Sequence, residues 1–472
     1  MEVQLGYENG TIRVDVDAPT RSASSTQDSV SDPLGSLPPL PGVEVDPRSE
    51  TGRAPAYQYA AIRQALTVAG VSVTDHVLDA SDSAADAAGL TTGLSTAYDL
   101  RVYQREALDA WHDAANRGVV ELPTGAGKTV IAIRAIVDLS VPTLVVVPTV
   151  DLLDQWEREL AAEFDVPIGR FGGGEQRQEA ITVSTYDSAY LKADAIGDAF
   201  EFVVFDEVHH LGGAGYQDVA RLLAAPARLG LTATFERPDN AHETVAELIG
   251  DRVYSLDVDE LAGEHLAAYD IRRIEVELTP EERERYDERQ ETFVAYVRDA
   301  GITFSSGSDY QELVKRSGND PAAREALLAK NEAREIMMNA SRKVEKLESI
   351  LDRHREDRVI VFTAHTDLVY RLSERFLLPA ITAETGANER REILERFRDG
   401  TYSQVVAANV LDEGVDVPDA SVAVVLSGSG SEREFTQRLG RILRPKADGD
   451  RAVLYEVVSA ETAEERVASR RR

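Results

Sequence analysis

Four short apolar runs, TLVVVPT, ITVSTY, EFVVFDE and ARLGLTAT, follow one another between about residues 143 and 234, separated by helical stretches such as DLLDQWERELAAEF. Each run is nearly continuous in Val, Leu, Ile and Phe instead of alternating with polar residues. Strands of that kind are buried on both faces, which is the condition of a parallel sheet with helices on either side. The same rhythm returns after about residue 341 with RVIVFTA, QVVAANV, SVAVVLS and AVLYEVVS. The fold class is therefore α/β, with two parallel-sheet domains, and a length of 472 residues leaves room for further pieces.

Those pieces flank and separate the two domains. Residues 1 to about 18 read as a β-hairpin turning at Asn9-Gly10. A Ser- and Pro-rich linker over 19–42 follows, then a helix in PAYQYAAIRQALTVAG opened by Pro55 and closed by Gly70. DASDSAADAAG, ending at Gly89, reads as a second linker. Around residue 256 the strands give way to a charged helical region, in which Thr279 can cap, Pro280 suits the first turn and Glu281 and Glu282 favour the helix dipole. The expected boundaries are 1–90 for a small N-terminal α+β piece, 91–255 for the first α/β domain, 256–340 for a helical insert and 341–472 for the second α/β domain.

Composition narrows the chemistry. There is no cysteine, so disulfides and thiolate metal sites are excluded. No apolar run approaches the roughly 18–20 residues needed to cross a bilayer, and no secretory signal opens the chain, so a soluble cytoplasmic protein without a membrane partner is expected. The formal charge is −32, from 83 acidic against 51 basic residues. A disordered acidic chain would have that balance, but the aliphatic periodicity argues against one. Few lysines, many arginines and abundant Ala, Asp and Glu resemble proteins adapted to molar salt.

Lysine is so scarce that Lys128, in ELPTGAGKTV, stands out. Phosphate oxygens need several converging donors, and a glycine-rich strand-to-helix turn lets backbone N–H groups approach without Cβ clashes. A compact ammonium can reach between β- and γ-phosphates, which a planar guanidinium does not reproduce. Pro123, Thr124, Gly125, Ala126, Gly127, Lys128 and Thr129 thus form a candidate nucleotide-binding run, with the Thr129 hydroxyl suited to Mg²⁺. The general pattern has glycine at position 122, where this chain has leucine; a chance glycine-rich turn is the bland alternative.

Some 80 residues on, FVVFDEVHH brings Asp206 and Glu207 to the end of an apolar strand, where ligands bind in open α/β sheets. Asp206 can hold Mg²⁺ and Glu207 can polarise an attacking water. A solvated acidic turn is the alternative in so acidic a chain. His209 and His210 lack complementary metal ligands and are assigned to coupling or packing instead of zinc. In EFTQRLGRILRPK, Gln437, Arg438, Arg441 and Arg444 fall within two turns, and the arginines three apart share a face. An anion opposite would account for them; a basic solvated helix would do so equally.

Together LRVYQREAL, PTGAGKT, VVPTVDLL, DEVHH, GLTAT, VIVFTA, AANVLDEGVDVPDA and QRLGRILR resemble, in order, the motifs of superfamily 2 nucleic-acid helicases. DEVHH with QRLGRILRPK is most similar to the archaeal XPB-type DNA helicases. The resemblance implies two RecA-like domains and an ATPase that uses ATP and Mg²⁺. It also implies roles for individual positions. Gln104 would read the adenine edge, and the run from Pro123 to Thr129 would bind phosphates, with Thr129 and Asp206 on the metal. Lys128, Asp206, Glu207, Arg441 and Arg444 would carry catalysis, and Gly414, Asp416 and Gln437 would sit near the nucleotide. Thr232 and Thr234 would couple hydrolysis to movement, and Pro148, Thr149 and Thr185 would touch the nucleic-acid backbone. The segment 263–340 stands where the family places a thumb-like insert. After LTAT the chain has FERPDN, with Pro238 where the family carries an Arg-Glu-Asp element.

The function so implied is an ATP-dependent DNA helicase or translocase, 3′ to 5′, acting in repair or transcription. Its partners would be single-stranded or forked DNA and, beyond it, a nuclease or transcription and repair factors. A translocase that does not unwind, such as a restriction-type motor, is a second reading, and a nucleotide-gated scaffold a third. At about 1 M salt the Debye length is roughly 3 Å, so the net charge neither repels nor steers a polyanion. Binding would then rest on amides, hydroxyls and short arginine contacts, with weak salt dependence.

Overall fold

The computed structural model describes residues 2–16, 37–46, 49, 51–78, 85, 89–90, 93–123, 125–213, 215–236, 240–256, 269–302, 307–408, 420–426 and 452–464. The chain divides into two compact units, one of residues 1–123 and 127–257, the other of residues 124–126 and 258–472.

The hairpin at the start of the first unit pairs Glu2–Glu8 with Thr11–Val16, with Glu8 opposite Thr11. Asn9 and Gly10 both have positive φ, 47° and 80°, as a two-residue turn matched to strand twist requires. Val3, Leu5, Ile12 and Val14 point inward at every second position. Three further strands were hidden from the sequence. Glu44–Asp46 and Thr51–Pro55 extend the sheet on one side, and Ser72–Asp75 pairs in parallel with the first strand on the other. Each is short and carries Gly, Pro or charge, so no alternation announces it. The helix begins at Tyr59, after Thr51–Pro55 and a 3₁₀ turn at Ala56–Gln58, and ends before Gly70 at φ +67°. Ile62 and Leu66 of that helix close the small core, and Ala224 of the neighbouring α/β layer joins it. The Tyr7 hydroxyl lies 3.0 Å from the carbonyls of both Leu222 and Asp194 and shares its one proton between them, fixing the small sheet onto the larger one. The linker expected at 19–42 and the one ending at Gly89 lie largely outside the described residues.

The larger sheet of the first unit has the strand order Arg252–Ser255, Arg117–Glu121, Ala227–Thr232, Phe202–Asp206, Thr143–Val147, Ile181–Thr185, Ile168–Gly172, Glu175–Arg177. All pairs are parallel except the last. The four apolar runs are buried at essentially every residue, as two-sided packing predicts. Arg228, at the start of its strand, is fully buried and donates to the carbonyls of Ala220, Leu223, Ala225 and Leu248. That arginine satisfies buried carbonyls at the ends of the helices Tyr216–Leu222 and Ala241–Leu248 and just beyond the first, with no carboxylate in those bonds.

The second unit holds a six-stranded parallel sheet ordered Tyr269–Val276, Ala452–Ser459, Val422–Val425, Val359–Phe362, Gln404–Ala407, Ala380–Ile381. Its first strand corrects the expectation of a purely helical region after 256. YDIRRIEV carries four charges in eight residues, which hid a strand at the edge of the sheet. Helices Pro280–Asp299, Gly307–Arg316 and Pro321–Met338 follow. Thr279 and Glu282 form the reciprocal capping pair at 3.2 and 3.0 Å, with Pro280 in the first turn. Leu278, Tyr286, Ala333, Met337, Met338 and Ala340 pack the base of this helical region.

Candidate active site

Parallel strands deliver their C-terminal ends to one edge of the sheet, and every motif of the first unit lies there. Across that edge the order is the glycine turn after Glu121, then Thr232, then Asp206, then Pro148 and Thr149, then Thr185.

The glycine turn leads from Arg117–Glu121 into the helix Lys128–Leu139. Gly125 and Gly127 have φ +85° and +79°, a left-handed backbone that L side chains rarely adopt. At Gly127 there is also no room: a Cβ would lie 2.4 Å from the Gln104 amide nitrogen. Gln104 is buried, accepts from the Arg101 N–H at 2.9 Å and donates to the Gly127 carbonyl at 3.3 Å, so its side chain braces the turn. The Lys128 ammonium, 9% exposed, donates to the carbonyls of Leu122 at 2.9 Å and Pro123 at 3.4 Å. Leucine at 122, where the general pattern has glycine, is fully buried, and its N–H donates to the Thr232 carbonyl at 3.0 Å. Thr124 lies outside the described residues.

Asp206 ends the central strand and is 7% exposed. Its Oδ1 accepts from the Glu207 N–H at 3.0 Å and its Oδ2 from the Trp156 indole at 2.8 Å. Burial pushes its carboxyl up to about 6, and the Glu207 carboxylate acts in the same direction, while the Trp156 hydrogen bond and the Lys128 ammonium oppose the shift. Glu207 itself has φ +49°, a strained conformation for a non-glycine residue and of the kind found at functional sites. Its Oε2 is buried with no hydrogen bond, although His209 Nδ1 stands at ion-pair range, 3.4 Å away. A buried carboxylate oxygen left without a donor is costly unless something else approaches it.

His209 turns instead toward the next strand, its Nδ1 3.1 Å from Thr232 Oγ1. That hydroxyl donates to the Thr234 carbonyl at 2.9 Å and accepts from the Thr234 N–H at 3.1 Å. With its proton on the Thr234 carbonyl, Thr232 accepts from a His209 that carries a proton on Nδ1. The histidine expected to couple or pack therefore joins the DEVHH and LTAT segments directly.

Thr149 and Thr185 each cap a helix, accepting from Leu152 N and Ser188 N at 3.3 Å. They stand at neighbouring strand ends together with Pro148. Two aromatic side chains outside every motif complete the site: Trp156, on Asp206 as described, and Tyr186, whose hydroxyl donates to the Asp206 carbonyl at 3.1 Å. They stand 50 and 20 residues from Asp206 in sequence, and only the fold reveals them. Gly414, Asp416, Gln437, Arg438, Arg441 and Arg444 of the second unit, and Pro238 with its neighbours Arg237 and Asp239, lie outside the described residues.

The donor set suits a nucleoside triphosphate with Mg²⁺. Hydroxyl and carboxylate, Thr129 and Asp206, are oxygen ligands of the kind Mg²⁺ takes, in the small number it uses when phosphates and waters supply the rest. Among the described residues no cluster of three or more His, Asp or Glu forms a separate metal cage.

Comparison with known proteins agrees with this geometry. Residues 97–237 match the family described as type III restriction enzyme, res subunit. Residues 324–472 match the ERCC3/RAD25/XPB C-terminal helicase, and residues 5–77 the Xeroderma pigmentosum group B helicase damage recognition domain. The chain is 43% identical over 432 residues to the DNA 3′-5′ translocase XPB2 of Sulfurisphaera tokodaii, covering 92% of this chain and 96% of that protein. It is 33% identical over 377 residues to a putative DNA 3′-5′ helicase Rad25 of Halobacterium salinarum, covering 78% of this chain and 55% of the relative. Against the DNA 3′-5′ helicase XPB of Mycobacterium tuberculosis it is 30% identical over 387 residues, with 79% and 63% covered. Among solved structures, the Pyrococcus furiosus Hef helicase domain superposes with a TM-score of 0.50 at 20% identity, covering 79% of this chain and 98% of that one. The two parallel sheets are thus RecA-like domains.

Proposed function

The chain belongs to the XPB family of DNA 3′-5′ helicases and translocases, and on that premise we propose that it is an ATP-driven motor moving 3′ to 5′ on DNA. The observation that carries the chemistry is the edge where the Lys128 turn, Asp206 and the Glu207 oxygen without a hydrogen bond converge. Glu207 Oε2 takes the proton of the attacking water, and Lys128 exchanges its two carbonyl partners for phosphate oxygens. Thr129 and Asp206 hold Mg²⁺, which neutralises charge on the phosphates when bound. Arg441 and Arg444 stabilise the charge that develops on transfer, a contribution of about 10³–10⁵ in rate for such arginines. Gln104 serves the adenine while bracing the turn, and Gly414, Asp416 and Gln437 serve the nucleotide from the second domain's sequence. Lys128→Ala should abolish DNA-stimulated ATP hydrolysis, and turnover surviving in the purified variant defeats the proposal. Arg441→Ala and Arg444→Ala should each slow hydrolysis without loss of nucleotide affinity; full turnover in both removes the arginines from the mechanism.

Translocation without strand separation is the second reading. The relative matched over nearly its whole length is described as a translocase, and Pro238 stands in the segment after LTAT. A strand-displacement assay beside a translocation assay decides between them. The match of residues 5–77 to a damage recognition domain favours repair as the setting. Among the described residues no helix is long and apolar enough to cross a membrane.

A further inference from the structure

The chain has two tryptophans, and both are buried. Trp111 gives its indole N–H to a backbone carbonyl, that of Arg228, at 2.9 Å, the ordinary way a buried indole is satisfied. Trp156 gives its N–H to the Asp206 carboxylate. A second buried ring, Tyr186, gives its hydroxyl to the carbonyl of the same residue. One acidic residue is therefore held at its side chain and at its backbone by two aromatic donors from two different helices.

The origins of those helices connect them to DNA. Trp156 lies on Val150–Glu163, which starts at the Thr149 cap; Tyr186 is the first residue of Tyr186–Lys192, which starts at the Thr185 cap. Both caps are positions expected to meet the nucleic-acid backbone. Seven residues separate Thr149 from Trp156, about 10 Å of helix at 1.5 Å per residue. A helix of that length moves as a body, so a displacement at its start arrives at the indole. Both starts also face the same glycine, Gly172. A Cβ on Gly172 would lie 2.8 Å from Leu153 Cδ1 and 3.1 Å from Thr185 Cγ2, so both helices close on the same bare stretch of backbone.

We propose that Trp156 and Tyr186 are positioning residues through which a DNA strand at Thr149 and Thr185 sets the Asp206 carboxylate for Mg·ATP. The inference rests on the motor reading above and adds the route by which DNA stimulates hydrolysis. Trp156→Phe removes the N–H while keeping an aromatic ring, and Tyr186→Phe removes only a hydroxyl. In Trp156→Phe the ratio of DNA-stimulated to DNA-free turnover should fall by at least about tenfold, the scale of a lost hydrogen bond to a charged group. The fall in Tyr186→Phe should be smaller, since its partner is a neutral carbonyl. DNA affinity should be unchanged in both, and the Mg²⁺ concentration needed to bind a fluorescent ATP analogue should rise in Trp156→Phe. Independently of turnover, the tryptophan emission of the wild type, less that of Trp156→Phe, should change when a single-stranded oligonucleotide is added to protein holding Mg²⁺ and a non-hydrolysable analogue. If Trp156→Phe does not fold, Tyr186→Phe and the wild-type emission change on DNA decide the matter. An unchanged stimulation ratio in the folded variants, or no emission response to DNA, overturns the proposal. Stimulation that persists in both variants overturns this inference alone, whereas a wild type without DNA-stimulated turnover overturns the motor reading and this inference with it.

Discussion

His209 Nδ1 and Thr232 Oγ1 lie 3.1 Å apart, so the turn after the Asp206 strand is tied to the end of the strand beside it. Glu207, whose Oε2 stands 3.4 Å from His209 Nδ1, is thereby linked through His209 and Thr232 to the backbone at Thr234. Thr232→Val keeps the shape and removes the hydroxyl. The hydroxyl takes part in three hydrogen bonds of about 1 kcal/mol each, so stability should fall by roughly 1–3 kcal/mol. The larger effect should be on distance travelled per ATP consumed. Translocation and hydrolysis measured together check this, and a wild-type ratio would show that the bond transmits nothing.

Gly127 meets two demands at once, a φ of +79° and a Gln104 amide where its Cβ would stand. Left-handed backbone costs an L-residue about 1–2 kcal/mol, so Gly127→Ala should weaken ATP-analogue binding by about tenfold from strain alone, and further from the clash. Adding Gln104→Ala should relieve the clash but not the strain, with affinity compared with that of Gln104→Ala alone, which loses the adenine contact proposed above. Fluorescent nucleotide titrations of the single and double variants measure both parts. No recovery in the double variant would mean that Gln104 does not press on the turn.

The carboxyl of Asp206 is raised from 3.8 to about 6, chiefly by burial. Below the unfolded value both states are protonated and the group costs nothing. As pH climbs past that value the unfolded chain ionises first, and above about 6 the full penalty falls on the native state. In Mg²⁺-free buffer, Asp206→Asn should therefore become more stable relative to wild type between pH 4 and 7, by roughly 1–3 kcal/mol at 1.36 kcal/mol per pKa unit. Denaturant titrations across that range test it. A stability difference that stays flat with pH would contradict the burial argument.

Lys343, one of seven lysines, is 1% exposed and donates at 2.6 Å both to Glu464 and to the Leu426 carbonyl. Burial pulls its ammonium below the usual lysine range, and the Glu464 carboxylate opposes that. Replacing it by methionine strands a carboxylate, a change that costs about 3–5 kcal/mol for a buried pair. Salt screens exposed pairs far more than buried ones. The loss in Lys343→Met should be the same in 0.1 and 3 M KCl, roughly, while that in Arg375→Met, whose Glu348 pair is half exposed, should be near zero in both. Unfolding of the purified variants at the two salt concentrations checks the contrast.

The long apolar runs were legible because a strand buried on both faces has no other way to be written. The glycine turn at 125–127 was legible because two left-handed backbone positions in so tight a strand-to-helix turn admit little but glycine. DEVHH and LTAT showed which residues stand at the strand ends, but not that His209 reaches across to Thr232, since the two are 23 residues apart. The edge strands Glu44–Asp46, Ser72–Asp75 and Tyr269–Val276 escaped because an edge strand needs little apolar alternation when a neighbour supplies the pairing, and Thr51–Pro55, paired on both sides, escaped because its Gly, Arg and Pro mask it.

Which residue types sit at the carboxyl ends of the parallel strands was settled by the chain alone, since period and spacing are local properties. The order of those strands was not, and it is the order that puts Thr232 between the lysine turn and Asp206 and sets Pro148, Thr149 and Thr185 on the far side. Trp156 and Tyr186 came to Asp206 only by folding. Long-range hydrogen bonds depend on register and crossing of elements distant in sequence, and no local pattern records them.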